Sequence, residues 1–145
     1  MHAVFVVLIF VDQVTKVLFS SRDFFFSSGN FKLVKNFALP FGLDFGTMAN
    51  VVVLFIVYVV AGWFIYRMNS TSKIVTTGKV LFLSGAASNL ADRLIYGYVR
   101  DFIDLDLGFV FNLADVFIVL GLAIILLFPT QSKDKVENHG ATGEY

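Results

Sequence analysis

The tetrapeptide Asn-Leu-Ala-Asp occurs twice in this chain, as "SNLADRL" at Ser88–Leu94 and as "FNLADVF" at Phe111–Phe117. Both copies lie in strongly apolar surroundings, where an Asn or an Asp is costly to bury unless it finds hydrogen-bonding partners. Whether the two copies serve the same purpose depends on the segments that carry them and on the other polar residues nearby.

The composition indicates a membrane protein. The chain has 145 residues, of which 57% are hydrophobic, including 18 Phe. A soluble domain has roughly 45–50% apolar residues, and this length suits one domain. The formal net charge is zero, so the chain lacks the basic surface of a nucleic-acid-binding protein and no nucleic-acid partner is expected.

Four apolar segments have the length needed to cross a bilayer, roughly 17–25 residues. They are Ala3–Phe19, Met48–Tyr66, Val80–Tyr98 and Phe111–Phe128. The first lacks a basic n-region and an A-x-A-like cleavage site, so we interpret it as a retained helix and not as a signal peptide. The sequence predicts one α-helical domain with four transmembrane helices over residues 1–130. A polar, disordered cytoplasmic tail is expected over residues 131–145.

The basic residues predict the orientation. The loop between the second and third segments holds basic residues and no acid, namely Arg67, Lys73 and Lys79. The positive-inside rule makes this loop cytoplasmic, and four spans then place both termini on the same side. On that topology the polar residues of the first, third and fourth segments reach one level near the extracytoplasmic face. They are Asp12, Gln13, Thr15, Lys16, Asn89, Asp92, Arg93, Asn112 and Asp115. Their convergence predicts a functional site.

The loops on that side predict a small β element at the membrane surface. Phe31–Phe37 shows partial alternation of apolar and polar residues, and "LGFVF" before the fourth segment could pair with it as a short strand. The run Phe24–Phe26 indicates a part that dips into the membrane interface.

Structural roles alone could explain the polar residues of the first and third segments. Asp12 and Lys16 are spaced i, i+4 and could form a self-neutralised pair on one helix face. Asn89 and Arg93 have the same spacing. Asp92 cannot share the face of Arg93, so packing or an inter-helix bond is expected for it.

Structural roles are also open for the acids near the fourth segment. Asn112 precedes a predicted helix and Asp115 follows three residues later, which is N-cap spacing with an acid in the first turn. Asp101 lies in a predicted loop with other acids, where it could be an ordinary solvated carboxylate.

The hydrolytic alternative depends on Asp101 and Asp115 acting together. The chain has no Cys, and its two His residues, His2 and His139, lie near the termini. A thiol nucleophile, a His-based triad and a multi-His metal site are therefore not expected, and neither is a cofactor. Two neighbouring carboxyl groups can share a proton, so that one acts as a base on water while the other polarises or protonates an amide. That is the chemistry of an aspartic protease.

Five motifs occur in an order that resembles one family. They are "DQVTK" at Asp12–Lys16, "NFALPF" at Asn36–Phe41, "SGAASNLADRL" at Ser84–Leu94, "VRDFIDL" at Val99–Leu105 and "FNLADVFIVLG" at Phe111–Gly121. Together they resemble the lipoprotein signal peptidase family of bacteria, also called signal peptidase II. The likeness covers most of the chain.

The resemblance implies a four-helix membrane aspartyl endopeptidase of the bacterial cytoplasmic (inner) membrane, with a β-cradle and an active site near the extracytoplasmic face. It implies removal of signal peptides from diacylglyceryl-modified prolipoproteins, by a cut before the lipidated Cys. Membrane lipid and globomycin-type cyclic peptide inhibitors are the other implied partners.

The resemblance also assigns residues. The catalytic acids fall on Asp101 and Asp115. The substrate-binding or supporting positions fall on Asp12, Lys16, Asn36, Gly85, Asn89, Arg93, Asn112 and Ala114. The chain departs from the family pattern at Ala38, Pro40 and Ser88. The changes at Ala38 and Pro40 lie in the first outer loop and are expected to alter how that loop binds substrate.

Two other functions remain compatible with the residues. One is an inactive relative that binds lipoproteins without cutting them. The other is a small polytopic transporter that uses buried acids as proton relays. Against the transporter, the acids gather at one surface and do not form a path across the membrane.

Overall fold

The computed structural model describes residues 2–20, 31–37, 46–68 and 72–128. Several sequence-based expectations lie outside these residues: the interfacial Phe24–Phe26, the altered motif positions Ala38 and Pro40, and the cytoplasmic tail at 131–145.

Four helices and three strands make up the described part of the chain. The helices are α1 (His2–Ser20), α2 (Thr47–Arg67), α3 (Lys73–Tyr96) and α4 (Leu113–Leu127), and the strands are β1 (Phe31–Asn36), β2 (Val99–Asp104) and β3 (Val110–Phe111). Among the described helices, α1 and α2 are long and apolar enough to cross a membrane, with mean hydropathies of 2.0 and 2.4. Helix α4 is apolar but has only 15 residues. Membrane crossing by α3 and α4 remains a prediction.

The bounds of α3 and α4 differ from the sequence-based ranges. Helix α3 begins at Lys73 instead of Val80, and it ends at Tyr96 because Gly97 adopts a left-handed conformation with φ of 79° and caps the helix. Helix α4 begins at Leu113, after Asn112. Apolar segments and helices differ here for two reasons. The start of α3 is a polar stretch that is nevertheless helical, whereas at the end of α3 and the start of α4 the apolar composition continues through the cap residue Gly97 and the strand residue Phe111.

The strands form one antiparallel sheet in the order β1-β2-β3. A small β element was expected from Phe31–Phe37 and the "LGFVF" segment, but the central strand is Val99–Asp104, which was predicted to be a loop. In the register, Val34 lies opposite Asp101, and Ile103 lies opposite Phe111. Asp101 is therefore a buried strand residue and not a solvated loop carboxylate.

The sheet rests on the end of α1 through aromatic stacking. Phe102 of β2 stacks on Phe19 with ring centroids 4.4 Å apart, and Phe31 of β1 stacks on the same ring at 5.0 Å. Side chains of consecutive strand residues alternate between faces, so Phe102 packs on α1 while Asp101 faces the other side.

Helices α3 and α4 approach each other backbone to backbone. A Cβ atom added to Gly121 would lie 2.5 Å from the backbone nitrogen of Phe82, and one added to Gly85 would collide with the carbonyl oxygen of Ala114. Such close approach requires small residues, as it commonly does between membrane helices. Because Gly85 meets Ala114, the two Asn-Leu-Ala-Asp copies lie side by side.

Helix α2 packs on α3, and its first turn is joined to β1 where Asn50 Nδ2 donates to the carbonyl oxygen of Phe37 at 3.0 Å. Away from that end, a cleft of about 830 Å³ with an apolar lining separates α2 from α4, between side chains such as Phe64 and Leu126. The polar cluster lies at the other end of α4.

Candidate active site

The start of α4 carries Asp115 on a complete capping box. Asn112 is the N-cap, and its Oδ1 accepts a hydrogen bond from the Asp115 backbone N–H at 3.0 Å. In return, Asp115 Oδ2 accepts from the Asn112 backbone N–H at 3.1 Å. The expected N-cap geometry is thus present, and it fixes the Asp115 carboxylate to the helix terminus.

The same Asn112 side chain bridges to Asp101. Because its oxygen must face the backbone N–H that it accepts from, its amino group points away from the helix. That amino group donates to Asp101 Oδ1 at 2.6 Å and to Asn89 Oδ1 at 3.2 Å. Capping and a role in the site are therefore compatible in one residue.

Asp101 is buried at 2% exposure and is held by amides on both oxygens. Asn36 Nδ2 of β1 donates to its Oδ2 at 2.8 Å, opposite the bond from Asn112. Burial, and then the nearby charge of Asp115, raises the pKa of Asp101 to about 6, although the amide donors oppose the rise. Asp101 can therefore hold a proton close to neutral pH.

Asp115 is bound by Asn89 of the first Asn-Leu-Ala-Asp copy, whose Nδ2 donates to Asp115 Oδ1 at 2.7 Å. Asn112 links the two acids, because its side-chain amino group donates to Asp101 and its backbone N–H donates to Asp115. This arrangement can position a proton and a water molecule between the two acids.

A buried ion pair lies behind the two acids. Lys16 Nζ is 2.8 Å from Asp12 Oδ2, and both side chains are fully buried. The expected i, i+4 pair is present. Lys16 also donates to Asn89 Oδ1 at 2.8 Å, and Asp12 Oδ1 accepts from the Ala114 backbone N–H at 2.9 Å. The pair thereby connects α1 to α3 and to the start of α4.

Asp92, the acid of the first copy, faces a different neighbourhood. It is fully buried, and Arg100 Nη2 lies 2.7 Å from its Oδ1. Gln13 Nε2 donates to the same oxygen at 3.0 Å. The inter-element bond expected for Asp92 is therefore present, and its partners belong to α1 and β2.

The remaining expected positions have packing explanations. Gly85 allows the α4 backbone to approach α3, and Ala114 is fully buried with its N–H bound to Asp12. Arg93 is buried at 7% exposure, on the helix that presents Asn89.

The structure adds to the site three residues to which the family resemblance gave no role: Gln13, Ser88 and Arg100. Ser88 Oγ donates to Asp12 Oδ2 at 2.6 Å. Polar residues inside apolar segments were the available signal for Gln13 and Ser88, whereas Arg100 lies in the motif "VRDFIDL", in a segment that was predicted to be a loop. Within the described part of the chain, no buried side-chain nitrogen or oxygen lacks a hydrogen-bond partner.

The raised pKa of Asp101 predicts a pH-dependent stability effect of Asp101→Asn. With a pKa of about 6 in the folded state and about 3.9 when unfolded, ionisation of Asp101 disfavours folding by up to about 3 kcal/mol. This penalty is absent below pH 4, grows between pH 4 and 6, and is complete above that range. The Tm of the variant relative to the unmodified protein should therefore rise as the pH increases from 4 to 7.

Thermal unfolding of both proteins in one detergent, measured across that range, tests the effect. The lost hydrogen bond of the variant gives an offset that does not depend on pH, so the slope is the informative quantity. A Tm difference that stays constant from pH 4 to 7 would contradict the raised pKa.

Known proteins share both the sequence pattern and the fold. The family model described as "Signal peptidase (SPase) II" matches residues 4–130. A lipoprotein signal peptidase of Psychromonas ingrahamii is 34% identical, with 84% of this chain and 79% of the relative covered. One from Tropheryma whipplei (strain Twist) is 37% identical, with 87% and 91% covered. A solved structure described as a bacterial membrane enzyme has a TM-score of 0.71 at 22% identity and covers 99% of this chain and 91% of its own. At that identity the likeness establishes the fold.

Proposed function

Because the chain belongs to the signal peptidase II family, we propose that it is an aspartic endopeptidase that removes signal peptides from prolipoproteins, with Asp101 and Asp115 as the catalytic residues. The observation that carries the proposal is that both carboxyl groups bind the same residue: the Asn112 side chain donates to the buried Asp101, and the Asn112 backbone N–H donates to the half-buried Asp115. Family membership makes the protein a lipoprotein signal peptidase, and the geometry supports the choice of acids.

The reaction needs one ionised and one protonated carboxyl group. The ionised acid takes a proton from a water molecule, whose oxygen attacks the scissile carbonyl carbon. The protonated acid donates to the carbonyl oxygen as the tetrahedral intermediate forms. When the C–N bond breaks, the acid that took the proton from water gives it to the leaving amine. The other acid takes a proton back from a hydroxyl group of the intermediate as the carbonyl reforms within a carboxyl group. The raised pKa of Asp101 supports its role as the proton-holding member near neutral pH.

The amides around the acids hold their orientation during this proton transfer. The side chains of Asn36 and Asn112 donate to Asp101, and that of Asn89 donates to Asp115, which also accepts from the Asn112 backbone N–H. Amide side chains do not change charge in the working pH range, so they fix the carboxylates without competing for the proton. Lys16 and Asp12 contact these residues from α1. Lys16 donates to Asn89, and Asp12 accepts from the Ala114 backbone N–H.

We also propose the topology, with four spans over residues 1–130 in the bacterial inner membrane. The polar cluster and the sheet lie at the extracytoplasmic face, and both termini lie in the cytoplasm. The apolar lengths of α1 and α2 support crossing by these helices. Arg67 at the end of α2 and Lys73 at the start of α3 support a cytoplasmic position for the connection between these helices.

The substrate is proposed to be a prolipoprotein whose Cys carries diacylglycerol, cut on the N-terminal side of that Cys. Three large apolar side chains are exposed between β2 and β3, next to the site: Leu105, Leu107 and Phe109, at 47%, 61% and 60% exposure. They offer an apolar surface to acyl chains or to the membrane interface. Globomycin-type cyclic peptides are the proposed inhibitors.

Lipidation of the substrate should therefore control the reaction. An acyl anchor places the scissile bond at the depth of the two acids and supplies binding energy for orientation, so kcat/KM should fall by a factor on the order of 10² or more without it. The measurement uses one prolipoprotein, with and without the diacylglyceryl group, and follows release of the signal peptide by mass spectrometry. Equal kcat/KM for the two forms would refute this substrate class.

The cleavage assay also tests the function itself. Purified full-length protein should shorten the lipidated prolipoprotein at one peptide bond, and a globomycin-type peptide should block the reaction. An inactive relative would bind the substrate and leave its mass unchanged. Family membership does not favour that alternative or the transporter.

A further inference from the structure

Arg100 and Asp92 join the first Asn-Leu-Ala-Asp copy to the strand that carries Asp101. Three hydrogen bonds run from Arg100 to the Asp92 carboxylate. Arg100 Nη2 donates to Oδ1 at 2.7 Å, Nε donates to Oδ2 at 3.2 Å, and the backbone N–H donates to Oδ2 at 3.1 Å. The ion pair is enclosed, with side-chain exposures of 6% and 0%. A two-pronged bond together with a backbone bond fixes both the place and the rotation of a residue.

Two further contacts hold the guanidinium group. Its Nη2 donates to Gln13 Oε1 of α1 at 2.7 Å. Its central carbon lies 4.5 Å from the centre of the Tyr96 ring, at the last turn of α3, within the range of a cation–π contact. Arg100 therefore ties β2 to α1 and α3 at one point.

At Arg100 and Asp101, β2 pairs with β1 alone, with Lys35 opposite Arg100 and Val34 opposite Asp101. Strand β3 pairs with β2 only at Ile103 and Asp104, beyond Asp101. Strand β1 pairs along the other edge, with an irregularity between Phe31 and Val34. Two side chains therefore anchor β2 on either side of Asp101: Phe102 stacks on Phe19 of α1, and Arg100 binds Asp92 of α3.

We propose that Arg100 is a positioning residue for the cleavage reaction, and that its bonds to Asp92 set the place of the Asp101 carboxylate relative to Asp115. Consecutive strand side chains point to opposite faces, so Arg100 anchors one face of β2 while Asp101 meets Asn112 on the other. The inference rests on the proposed catalytic role of Asp101. It also gives the first Asn-Leu-Ala-Asp copy a defined role. Its Asn89 binds Asp115, and its Asp92 anchors strand β2, which carries Asp101.

The test compares Arg100→Gln with Arg100→Lys in the full-length protein, with the lipidated prolipoprotein as substrate. A displacement of about 1 Å can lower a rate by about 10²-fold. Arg100→Gln should accordingly lower kcat by about 10- to 100-fold and leave KM almost unchanged, because Arg100 acts through Asp101 and does not bind substrate. Arg100→Lys keeps the charge but loses the two-pronged geometry, so its kcat should be intermediate.

Lys35→Gln is the matched control. Lys35 lies opposite Arg100 in the register of β1 and β2 and is exposed. Its substitution removes the same charge from the same sheet without touching Asp92, so kcat should remain at the unmodified level. An equal loss of kcat in Lys35→Gln would overturn the inference, because the effect would then come from the charge of the sheet.

A double variant separates positioning from general damage. If Arg100 and Asp92 act as one unit, Arg100→Gln combined with Asp92→Asn should lower kcat per folded molecule no further than the worse single variant. Additive losses, or a folded Arg100→Gln with unmodified kcat, would overturn the inference. If Arg100→Gln does not fold, the kcat of Arg100→Lys tests the inference instead. An unmodified kcat in Arg100→Lys would show that the two-pronged bond is dispensable and would overturn the inference. Retained cleavage by Asp101→Asn would instead refute the proposed function.

Discussion

Asp101→Asn and Asp115→Asn should each abolish prolipoprotein cleavage, whereas Asp92→Asn should keep measurable turnover in the fraction that folds. An amide can neither act as a base towards water nor share a proton with the remaining carboxyl group. Loss of either acid should therefore lower kcat by at least about 10³-fold. Asp92 makes its bonds to Arg100 and Gln13, so we propose a structural role for it and no part in proton transfer.

The measurement is the initial cleavage rate per folded molecule, with folded protein isolated as the monodisperse fraction in detergent. Both inactive variants should still fold and bind a globomycin-type peptide to some degree, because Asn occupies the same volume as Asp. Full loss of cleavage in Asp92→Asn together with retained activity in Asp101→Asn would reverse the assignment and make the first Asn-Leu-Ala-Asp copy the catalytic one.

This loss of activity is expected together with the gain in relative stability of Asp101→Asn at neutral pH. Both effects have one physical origin, since the environment that keeps a proton on Asp101 near pH 6 also makes the ionised form costly in the folded protein. The environment that suits Asp101 to hold a proton therefore lowers the free energy of unfolding when Asp101 is ionised. The two measurements on one variant test the same cause independently.

The parts of the site that depend on local spacing could be predicted from the sequence. Asp12 and Lys16 are one helical turn apart, and Asn112 precedes Asp115 by the interval of a capping box, so both pairs follow from helix geometry alone. The juxtaposition of α3 and α4 follows less directly, because Gly85 and Gly121 reveal a close contact only when the partner helix is known.

The central strand and its anchor could not be predicted in this way. The strand "VRDFID" lacks the alternation of a half-exposed strand, because Val99, Arg100, Asp101 and Phe102 are all buried. Gln13 and Arg100 are 87 positions apart in the chain, and no spacing rule connects residues at that separation. Hydrogen bonds between polar residues of different helices and strands can be identified only when the packing of these elements is known.

Lys16→Met should sharply lower the folded yield, and with it the total activity. Lys16 is the cation of a fully buried pair, 2.8 Å from Asp12 and 3.5 Å from Asp92. Removal of one partner leaves a buried carboxylate without its counter-charge, which typically costs about 3–5 kcal/mol. Asn89 would also lose a donor to its Oδ1 and with it part of its orientation towards Asp115.

The double variant Asp12→Asn/Lys16→Met shows whether the unpaired charge is the cause. An Asn at position 12 can still accept from the Ala114 N–H through its oxygen, and its amino group can donate to Ser88 Oγ, which can act as an acceptor. The buried charge is then gone while the helix start remains capped, so the double variant should recover much of the folded yield and Tm lost in Lys16→Met. Size-exclusion yield and thermal unfolding in one detergent measure both quantities. If Lys16→Met alone keeps the unmodified yield, Tm and cleavage rate, the pair is incidental, and α1 contributes to the site through packing instead of charge.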